Sequence, residues 1–372
     1  MIGWGLFWMA WALMWLAYAF LIDFYRHGWK VGESARFEPS AHQPAVSVVV
    51  AARNEAANLP RLLAVLRAQD YPAESFEVLL VDDHSEDGTY ALAAAAGGNV
   101  RAVQSPAGTE GKKAALTFGI GQATGDWIVA TDADCVPGPG WLSGMMAYAD
   151  DATFLAGPVR YHNIRSFCDR FQTLDFITLQ GITAASVATG FHSMCNGANL
   201  AYPRRLFNEV GGFAGVDRLA SGDDLLLMHK IAIRKGASVQ YVRHPDAIVH
   251  TDPAPGWRAF WKQRVRWASK SAHYDDKRIF WALLMVYFFN LHFVVLAAWC
   301  FGNPQLLGLL IGGILLKTVV EIRFLAPVAR FFGQQHLLPW FPLMQPLHIL
   351  YTVLVGALSQ VGKYEWKGRR LR

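Results

Sequence analysis

Charged residues are scarce in this 372-residue sequence, and their scarcity argues against an ordinary, fully soluble protein. Only 17% of the residues are Asp, Glu, Lys or Arg, whereas 53% are hydrophobic. A soluble α/β protein carries about 25% charged residues, so part of this chain is expected to lie in lipid. The net charge of +5 is modest, and the basic residues are not interleaved with aromatic residues in a nucleic-acid-binding pattern. The composition therefore predicts membrane lipids, and no nucleic acid, as partners.

Cysteine is also rare, which removes two further classes of site. The four cysteines lie far apart in the sequence and form no Cys-x-x-Cys pair; they are Cys135, Cys168, Cys195 and Cys300. This spacing indicates neither a zinc site nor a disulfide framework. A reducing, cytoplasmic setting for the central part of the chain is compatible with it.

Long apolar stretches without any charge lie at both ends of the sequence. Residues 1–22 are long enough to cross a bilayer as a helix, and they lack the basic start of a cleaved signal peptide. Residues 279–316 are also uncharged and are broken at Gly302-Asn303-Pro304, which predicts two spans at roughly 279–300 and 305–325. Both ends of the chain are therefore expected in the membrane.

The flanking residues indicate an orientation. Arg26 and Lys30 follow the first span, and Lys317, Glu321 and Arg323 are expected at the water-facing end of the third. By the positive-inside tendency, residues 26–275 face the cytoplasm of a multi-pass protein in the cell (inner) membrane. A last apolar segment at 341–361 contains two prolines, and whether it crosses or re-enters stays open.

The central part of the sequence alternates between predicted strands and predicted helices. Residues 45–51 and 76–81 are short, β-branched apolar runs of the buried-strand type, with a helix predicted at 58–68 between them. The alternation continues with strands predicted at 99–103 and 127–130 and a helix at 112–123. Alternating strands and helices predict an α/β domain with a mostly parallel sheet covered on both faces.

Acidic and aromatic motifs occur in a fixed order along this region. They are Val-Asp-Asp-His-Ser (Asp82, Asp83), Thr-Asp-Ala-Asp (Asp132, Asp134), Ser-Gly-Asp-Asp (Asp223, Asp224) and Gln-Arg-Val-Arg-Trp (Gln263, Arg266, Trp267). The first three follow or adjoin apolar runs, where a strand end presents carboxylates at a ligand crevice. Carboxylates gathered in this way suit a hard divalent cation held against a diphosphate.

This order of motifs resembles that of family 2 glycosyltransferases of the GT-A fold. The resemblance covers about 44–271 and is greatest to ceramide- and carotenoid-type lipid glucosyltransferases, with cellulose and hyaluronan synthases more distant. It implies a Rossmann-like catalytic domain between N- and C-terminal transmembrane helices. The expected parts are a transmembrane helix at 1–25, a cytoplasmic GT-A domain at 26–256, an amphipathic interfacial helix at 257–275 and transmembrane or re-entrant helices at 276–372.

The resemblance also implies residues that bind the donor. Arg53 and Glu55, in the turn after the first strand, and Asp83 would contact the nucleotide, and Lys112 would belong to a segment that closes over it. Taken alone, the turn at 53–55 could equally be an exposed, capped turn. Lys112 could likewise be a solvated helix lysine.

A metal site is implied by the Asp-x-Asp motif after the fourth strand. Of Asp132 and Asp134, one carboxylate would face the ribose or the metal and the other would coordinate Mn²⁺ or Mg²⁺, and His250 would complete the site. An Asp-x-Asp triplet alone is common, so its position after an apolar strand gives it weight. For His250, a buried structural histidine is the competing interpretation.

The last two motifs are assigned to the acceptor side by the same resemblance. Asp224 would be the general base and Asp223 would orient it, both at the N-terminus of a predicted helix where ionised carboxylates are favoured. Helix capping would explain one of the two equally well. Arg266 would lie near the diphosphate of the donor, with Gln263 and Trp267 at the acceptor mouth.

The expected function is that of a membrane-bound, metal-dependent, inverting hexosyltransferase. It would move a hexose from a nucleotide sugar, UDP-linked by family preference, to a hydroxyl of a ceramide-, carotenoid- or glycerolipid-like acceptor. A processive polysaccharide synthase is the alternative enzyme, and an inactive membrane scaffold is the non-enzymatic alternative. The sequence leaves the sugar, the lipid and the oligomeric state open.

Overall fold

The computed structural model describes residues 2–34, 43–191, 194–214, 222–269, 277–359, 364–366 and 369–371. By its internal contacts the chain divides into two units. The helical unit comprises Met1–Lys30, Ile164–Ala185 and Pro253–Arg372, and the α/β unit comprises Val31–Asn163 and Ser186–Asp252. The domain boundaries expected near residues 25, 256 and 275 stay predictions.

The first two thirds of the chain contain most of the strands. In chain order the elements are α1 (Ile2–Ser34), β1 (Val46–Ala52), α2 (Leu59–Arg67), β2 (Phe76–Asp82), α3 (Thr89–Ala94), β3 (Val100–Gln104), α4 (Lys112–Gln122), β4 (Trp127–Ala130), β5 (Val136–Pro137), α5 (Trp141–Met146), β6 (Phe154–Ala156), β7 (Val159–Tyr161), α6 (Phe167–Ala188), β8 (Leu200–Pro203), α7 (Arg204–Glu209), α8 (Asp223–Ala232), β9 (Val239–Tyr241) and β10 (Val249–Thr251).

The main sheet of the α/β unit has seven described strands in the order β3-β2-β1-β4-β8-β6-β9. Strand β1 pairs in parallel with β2 and β4, and β2 pairs in parallel with β3. Only β8 runs antiparallel to its neighbours, β4 and β6. The mostly parallel α/β sheet expected from the sequence is therefore confirmed.

The strand order decides where a ligand crevice forms. The chain passes from β1 outward to β2 and β3, then returns to the other side of β1 to form β4. This reversal creates a switch point, where loops after neighbouring strands diverge and open a crevice at their carboxyl ends. The motif residues that follow β1, β2 and β4 all lie at this edge of the sheet.

Burial explains why these segments form the core. Within β1 all residues but one are buried, and Val48, Val49 and Val50 are completely inaccessible to solvent. Helix α2 turns one leucine-rich face inward; its buried residues are Leu59, Leu62, Leu63 and Leu66. The predicted strands and helices match the observed ones to within about one residue. Short, continuous apolar runs mark the buried strands, and in α2 the leucines recur at helical spacing, which is why the sequence predicts these elements well.

The remaining elements belong to the helical unit. They are α9 (Gly256–Ala268), α10 (Lys277–Cys300), α11 (Leu307–Phe331), α12 (Phe341–Leu358), β11 (Tyr364–Trp366) and β12 (Arg369–Leu371). Among the described residues, three helical stretches are long and apolar enough to cross a membrane: Trp8–Gly32, Arg278–Cys300 and Gln335–Leu358. The expected apolar helices at both ends of the chain are confirmed.

The span expected at residues 305–325 stays a prediction, whereas the water-facing end expected at Lys317 and Glu321 was wrong. These residues do lie in a helix, α11, but α11 is not among the three candidate spans of the described chain, whereas the doubtful last segment is. Lys317 and Glu321 do not mark a water-facing end. The Lys317 side chain is 0% exposed and lies 2.7 Å from Glu321 Oε1, four residues along the same helix.

Other buried polar groups surround this ion pair inside the helical unit. Lys317 Nζ donates to Oε1 of Gln345 at 2.7 Å, and Gln345 Nε2 donates to Oε2 of Glu321 at 2.5 Å. The hydroxyl of Tyr18 also donates to Glu321. The pair therefore joins α11 to α12 and α1, and its partners compensate for the loss of water around the two charges.

Candidate active site

Left-handed backbone occurs at four positions beside predicted site residues. Asn54 (φ 52°) separates Arg53 from Glu55, and His84 (φ 55°) follows Asp83. Gly111 (φ 98°) and Gly222 (φ 91°) immediately precede α4 and α8. Such angles are uncommon and occur mostly at Gly, Asn, Asp and His. The sharp turns allow the chain to leave a strand or enter a helix with its polar groups at the crevice.

The loops after β1 and β2 are joined to each other by the predicted donor-site residues. Arg53 donates from one guanidinium nitrogen to the main-chain oxygen of Asp83 at 3.0 Å, and its other nitrogen lies 3.8 Å from Glu86. The N–H of Glu55 donates to the hydroxyl of Thr89 at 2.8 Å. Arg53, Glu55 and Asp83 are therefore held on one framework.

Asp83 also holds the start of α4. The main-chain N–H of Gly111 donates to both carboxylate oxygens of Asp83, at 3.0 and 3.1 Å. Lys112 follows as the first residue of the helix, and its Nζ lies 2.5 Å from Oδ1 of Asp132. Lys112, which could have been a solvated lysine, instead contacts the Asp-x-Asp motif directly.

The Asp-x-Asp motif forms a group of converging ligand atoms. One potential ligand atom from each of Asp132, Asp134 and Cys135 lies within 4.8 Å of the others. Although Asp134 is partly exposed, burial of its carboxyl and the charges of Asp132 and Glu55 raise its pKa from 3.8 to about 6. The raised pKa reflects first the loss of water around this carboxyl and then the two neighbouring carboxylates.

Cys135 was not predicted to belong to this group. Its side chain is buried, and its thiol lies 3.7 Å from Oδ1 of Asp134. Burial, Asp132 and Asp134 raise the pKa of the thiol well above its ordinary value, so Cys135 is a neutral thiol at neutral pH. The hard oxygen atoms of the two aspartates are thus the charged ligands on offer, and they suit Mn²⁺ or Mg²⁺.

His250 lies on the strand that pairs with the segment after the motif. It pairs with Val136 in the antiparallel register of β10 and β5, and its Nδ1 is 3.2 Å from the main-chain oxygen of Val136. Burial first, and then the charge of Arg160, lower the pKa of His250 to about 4.

A neutral His250 whose Nδ1 donates to this carbonyl keeps the lone pair of Nε2, which is the arrangement of many metal-binding histidines. The group of converging ligand atoms found in the described chain does not include His250. Its role as a ligand stays a prediction.

A loop before β8 faces the same region of the α/β unit. Thr131, the residue after β4, donates its hydroxyl proton to the oxygen of Ala198 at 2.9 Å. Asn199 is completely buried, and its Nδ2 donates to the main-chain oxygens of Pro158 and Ala247 at 2.9 and 2.8 Å. These bonds fix residues 196–199 beside the Asp-x-Asp motif.

Asp224 contacts this loop from the first turn of α8. The N–H of Gly197 donates to Oδ2 of Asp224 at 2.9 Å, and the N–H of Leu225 donates to Oδ1 at 2.9 Å. A Cβ atom placed on Gly197 would lie 3.4 Å from Nζ of Lys112 and 3.6 Å from Oδ2 of Asp224. Lys112 therefore lies between the Asp-x-Asp motif and Asp224, which was predicted to be the base.

The structure thus brings most of the predicted donor, metal and base residues to one edge of the sheet. Asp223 begins α8, but its side chain lies outside the described residues. Gly197, Thr131 and Asn199 were missed as positioning groups. Gly197 and Asn199 lie in the Cys-Asn-Gly-Ala-Asn stretch at 195–199, and Thr131 is the first residue of the Thr-Asp-Ala-Asp motif.

In the helical unit, α9 carries the Gln-x-x-Arg-Trp motif, and residues 270–276 after it lie outside the described chain. Its most buried charged residue is Arg264, which the motif leaves unspecified. Arg264 is 2% exposed, donates from Nε to Oδ2 of Asp175 at 2.8 Å and lies 4.2 Å above the Trp267 ring. Its NH1 donates to Oε1 of Gln263 at 3.0 Å.

Two of the predicted acceptor-side residues, Gln263 and Trp267, are therefore held by one buried arginine. Trp267 also packs against Phe176 of α6, with ring centroids 6.2 Å apart. Arg266, on the same helix, is half-buried. The proximity of Arg266 to the diphosphate, and of Trp267 and Gln263 to the acceptor, stays a prediction.

Comparison with known proteins identifies the family. Residues 47–215 match the model of glycosyl transferase family 2. The probable glycosyltransferase YdaM of Bacillus subtilis is 26% identical over 235 residues, which cover 60% of this chain and 54% of that protein. The β-monoglucosyldiacylglycerol synthase of Synechocystis is 28% identical over 232 residues, covering 60% of this chain and 47% of that protein. The chain thus spans about half the length of these curated relatives.

A solved structure supports the same fold over a longer stretch. The mannosyltransferase PcManGT from Pyrobaculum calidifontis, in complex with GDP-Man and Mn²⁺, aligns with a TM-score of 0.55. The alignment covers 91% of this chain and 98% of that one at 20% identity, a level at which the likeness concerns the fold. Together with the sheet order and the family match, it leads to one conclusion: residues 47–215 belong to glycosyl transferase family 2, and the chain has the GT-A fold.

Proposed function

We propose that this chain is a membrane-bound, inverting, metal-dependent hexosyltransferase that moves a hexose from a nucleotide sugar to a hydroxyl of a lipid. One observation carries the proposal. Lys112 lies 2.5 Å from Asp132 and borders the same glycine, Gly197, whose N–H holds Asp224. A carboxylate suited to the donor's metal and a carboxylate suited to proton removal therefore face one small space, as a direct transfer from donor to acceptor needs.

The donor's nucleotide is assigned to the loops after β1 and β2. Arg53, Glu55 and Asp83 are joined by hydrogen bonds and lie at the switch point of the sheet, where this fold class binds nucleotides. UDP is the proposed nucleotide, from the resemblance of the motifs. The mannosyltransferase from Pyrobaculum calidifontis, which shares the fold, was solved with GDP-Man, so both nucleotides belong in a binding test.

The residues present fit a divalent cation. Asp132 and Asp134 offer oxygen ligands, the negative charge of Glu55 acts on Asp134 as well, and a neutral His250 has a nitrogen that can accept a metal. A cation held by these residues would neutralise the negative charge that builds on the departing diphosphate. Lys112 and, in our proposal, Arg266 would supply further positive charge to the oxygens of that diphosphate.

Asp224 is proposed to remove the proton of the acceptor hydroxyl. Its two hydrogen bonds, from Gly197 and Leu225, fix the carboxylate while each oxygen keeps a further lone pair to accept a proton. As the proton leaves, the acceptor oxygen attacks the anomeric carbon and the bond to the nucleoside diphosphate breaks. One displacement inverts the anomeric centre. Asp223 is proposed to orient the acceptor or the base.

The lipid acceptor is proposed from the apolar helices and the relatives. Three helices are long and apolar enough to cross a membrane, and the Synechocystis relative is named for a glycolipid product. Gln263 and Trp267 are proposed to contact the lipid acceptor. The proposed location is the cell (inner) membrane, multi-pass, with the α/β unit on the cytoplasmic face.

Mass spectrometry of lipids from cells with and without the gene tests this proposal. The proposal requires a hexosylated lipid that disappears with the gene and returns with the intact gene, but not with an Asp224→Asn variant. A polymer in place of a single-sugar lipid would favour the processive polysaccharide synthase. An unchanged set of lipids and polysaccharides would favour the inactive scaffold.

A further inference from the structure

The ion pair of Lys112 and Asp132 lies where a metal is proposed to bind. Lys112 Nζ is 2.5 Å from Asp132 Oδ1, a contact that belongs to the stronger, charge-assisted class of hydrogen bond. The two side chains are 29% and 36% exposed, so the pair is partly buried and open to a ligand. The carboxylate of Asp132 that accepts this bond is also one of the converging ligand groups of the Asp-x-Asp motif.

The main chain of Lys112 is anchored, whereas its side chain is flexible and 29% exposed. Both oxygens of Asp83 hold the N–H of Gly111 and so anchor the first turn of α4. The ammonium group at the end of a flexible four-carbon chain lies beside Gly197, close to Asp224. Lys112 can therefore exchange one anionic partner for another without any shift of the helix.

We propose that Lys112 is a built-in counter-ion that occupies Asp132 until a divalent cation displaces it. Lys112 then moves to the diphosphate of the donor. The inference rests on the proposed function, because it assumes both a metal and a nucleotide at this site. Asp132 and Asp134 together attract a cation, and an ammonium group already bound to Asp132 opposes a second cation through like-charge repulsion.

A lysine that competes with the metal has a different effect on metal binding from a lysine that only binds the donor. If Lys112 competes with the metal, loss of its charge strengthens metal binding to the nucleotide-free protein. A diphosphate that draws Lys112 away from Asp132 also strengthens metal binding. By linkage, the metal strengthens nucleotide binding by the same factor.

Manganese binding to the full-length protein in detergent tests the inference. The free Mn²⁺ signal in electron paramagnetic resonance gives the dissociation constant without any reference to turnover. We expect Lys112→Gln to bind Mn²⁺ at least about fivefold more tightly than the parent without nucleotide, a change typical of coupled sites. UDP or GDP should then raise the Mn²⁺ affinity by a smaller factor than in the parent.

The neighbouring lysine provides a matched control. Lys113→Gln removes the same charge one residue along α4 and should leave Mn²⁺ binding close to that of the parent. Lys112→Met, which keeps the length of the chain and removes the charge, should behave as Lys112→Gln does. Unchanged or weaker Mn²⁺ binding by both Lys112 variants would overturn the inference.

Asp132→Asn separates this inference from the proposed function. If the parent binds Mn²⁺ and Asp132→Asn does not, while the Lys112 variants bind as the parent does, the metal site stands and only the counter-ion role of Lys112 fails. If neither the parent nor Asp132→Asn binds Mn²⁺, with or without nucleotide, both the metal site and the counter-ion role fail.

Discussion

The main-chain N–H of Gly197 donates to Oδ2 of Asp224 at 2.9 Å and so fixes the proposed base against the loop at 196–199. That loop is itself tied to the end of β4 through the hydroxyl of Thr131. The proposed base and the Asp-x-Asp motif therefore belong to one connected arrangement, although about 90 residues separate them in the sequence. Preorganisation of this kind reduces the rearrangement that the reaction itself requires.

Replacing the proposed base should separate proton removal from donor binding. Asp224→Asn keeps the shape of the side chain but cannot take the acceptor's proton, so transfer should slow by about 10²–10⁴. Single-turnover transfer and nucleotide binding, measured on the same preparation, check the effect. Asp151→Asn, an exposed aspartate elsewhere in the α/β unit, should keep parental activity. An equal loss of nucleotide affinity would place Asp224 in the donor site.

Arg266→Lys should impair transfer while membrane association is unchanged. A lysine retains the charge but lacks the planar fork that can bind two diphosphate oxygens at once. We assign the exposed Arg258 and Lys262 of the same helix, and Lys270, which lies outside the described residues, to lipid headgroups. Neutralising these three should instead weaken binding to anionic vesicles. Transfer assays and vesicle flotation on the same variants separate the two roles. Parental activity in Arg266→Lys would make the motif a membrane anchor alone.

Arg264→Met should destabilise the helical unit. It leaves the buried Asp175 without its partner, and breaking a buried ion pair in this way typically lowers stability by about 3–5 kcal/mol. The double variant with Asp175→Asn should recover part of the loss, because no unpaired charge remains. Thermal unfolding in detergent gives the comparison, with the exposed Arg258→Met as the control. If Arg264→Met and Arg258→Met unfolded alike, the buried pair of Arg264 and Asp175 would not stabilise the helical unit.

Manganese binding should strengthen as the pH rises towards 6 and then level off. The metal-free protein holds a proton on Asp134 below its pKa of about 6, and the cation must displace that proton. His250, with a pKa of about 4, is already neutral over this range and does not compete. Titrations between about pH 5 and pH 8 should show close to tenfold weaker binding per pH unit below 6. An Asp134→Asn variant that kept the same pH profile would contradict this assignment.

Much of the α/β unit could be predicted because its signals are local. The runs that became β1, β2 and β4 are apolar and β-branched, and the aspartates after β2 and β4 stand at strand ends as parallel topology requires. The parallel pairing of β1 with both β2 and β4 brings those carboxylates to one edge. The alternation of strands and helices along the chain was enough to predict that these carboxylates lie near one another.

Other features depend on contacts between distant residues, and no local pattern reveals them. Lys317 and Glu321 looked like the hydrated end of a span, yet Gln345 and Tyr18 satisfy them inside the helical unit. The Gln-x-x-Arg-Trp pattern directed attention to Arg266, whereas the buried partner of Trp267 is Arg264.

Transfer of labelled hexose from a nucleotide sugar to lipid, with and without a chelator, tests the central claim most directly. The purified chain in lipid nanodiscs is supplied with the UDP-linked sugar, and the label is measured in the organic phase. Because Asp132 and Asp134 are proposed to bind the metal that stabilises the leaving diphosphate, EDTA should abolish transfer, and excess Mn²⁺ or Mg²⁺ should restore it. Undiminished transfer to lipid in EDTA would contradict the account.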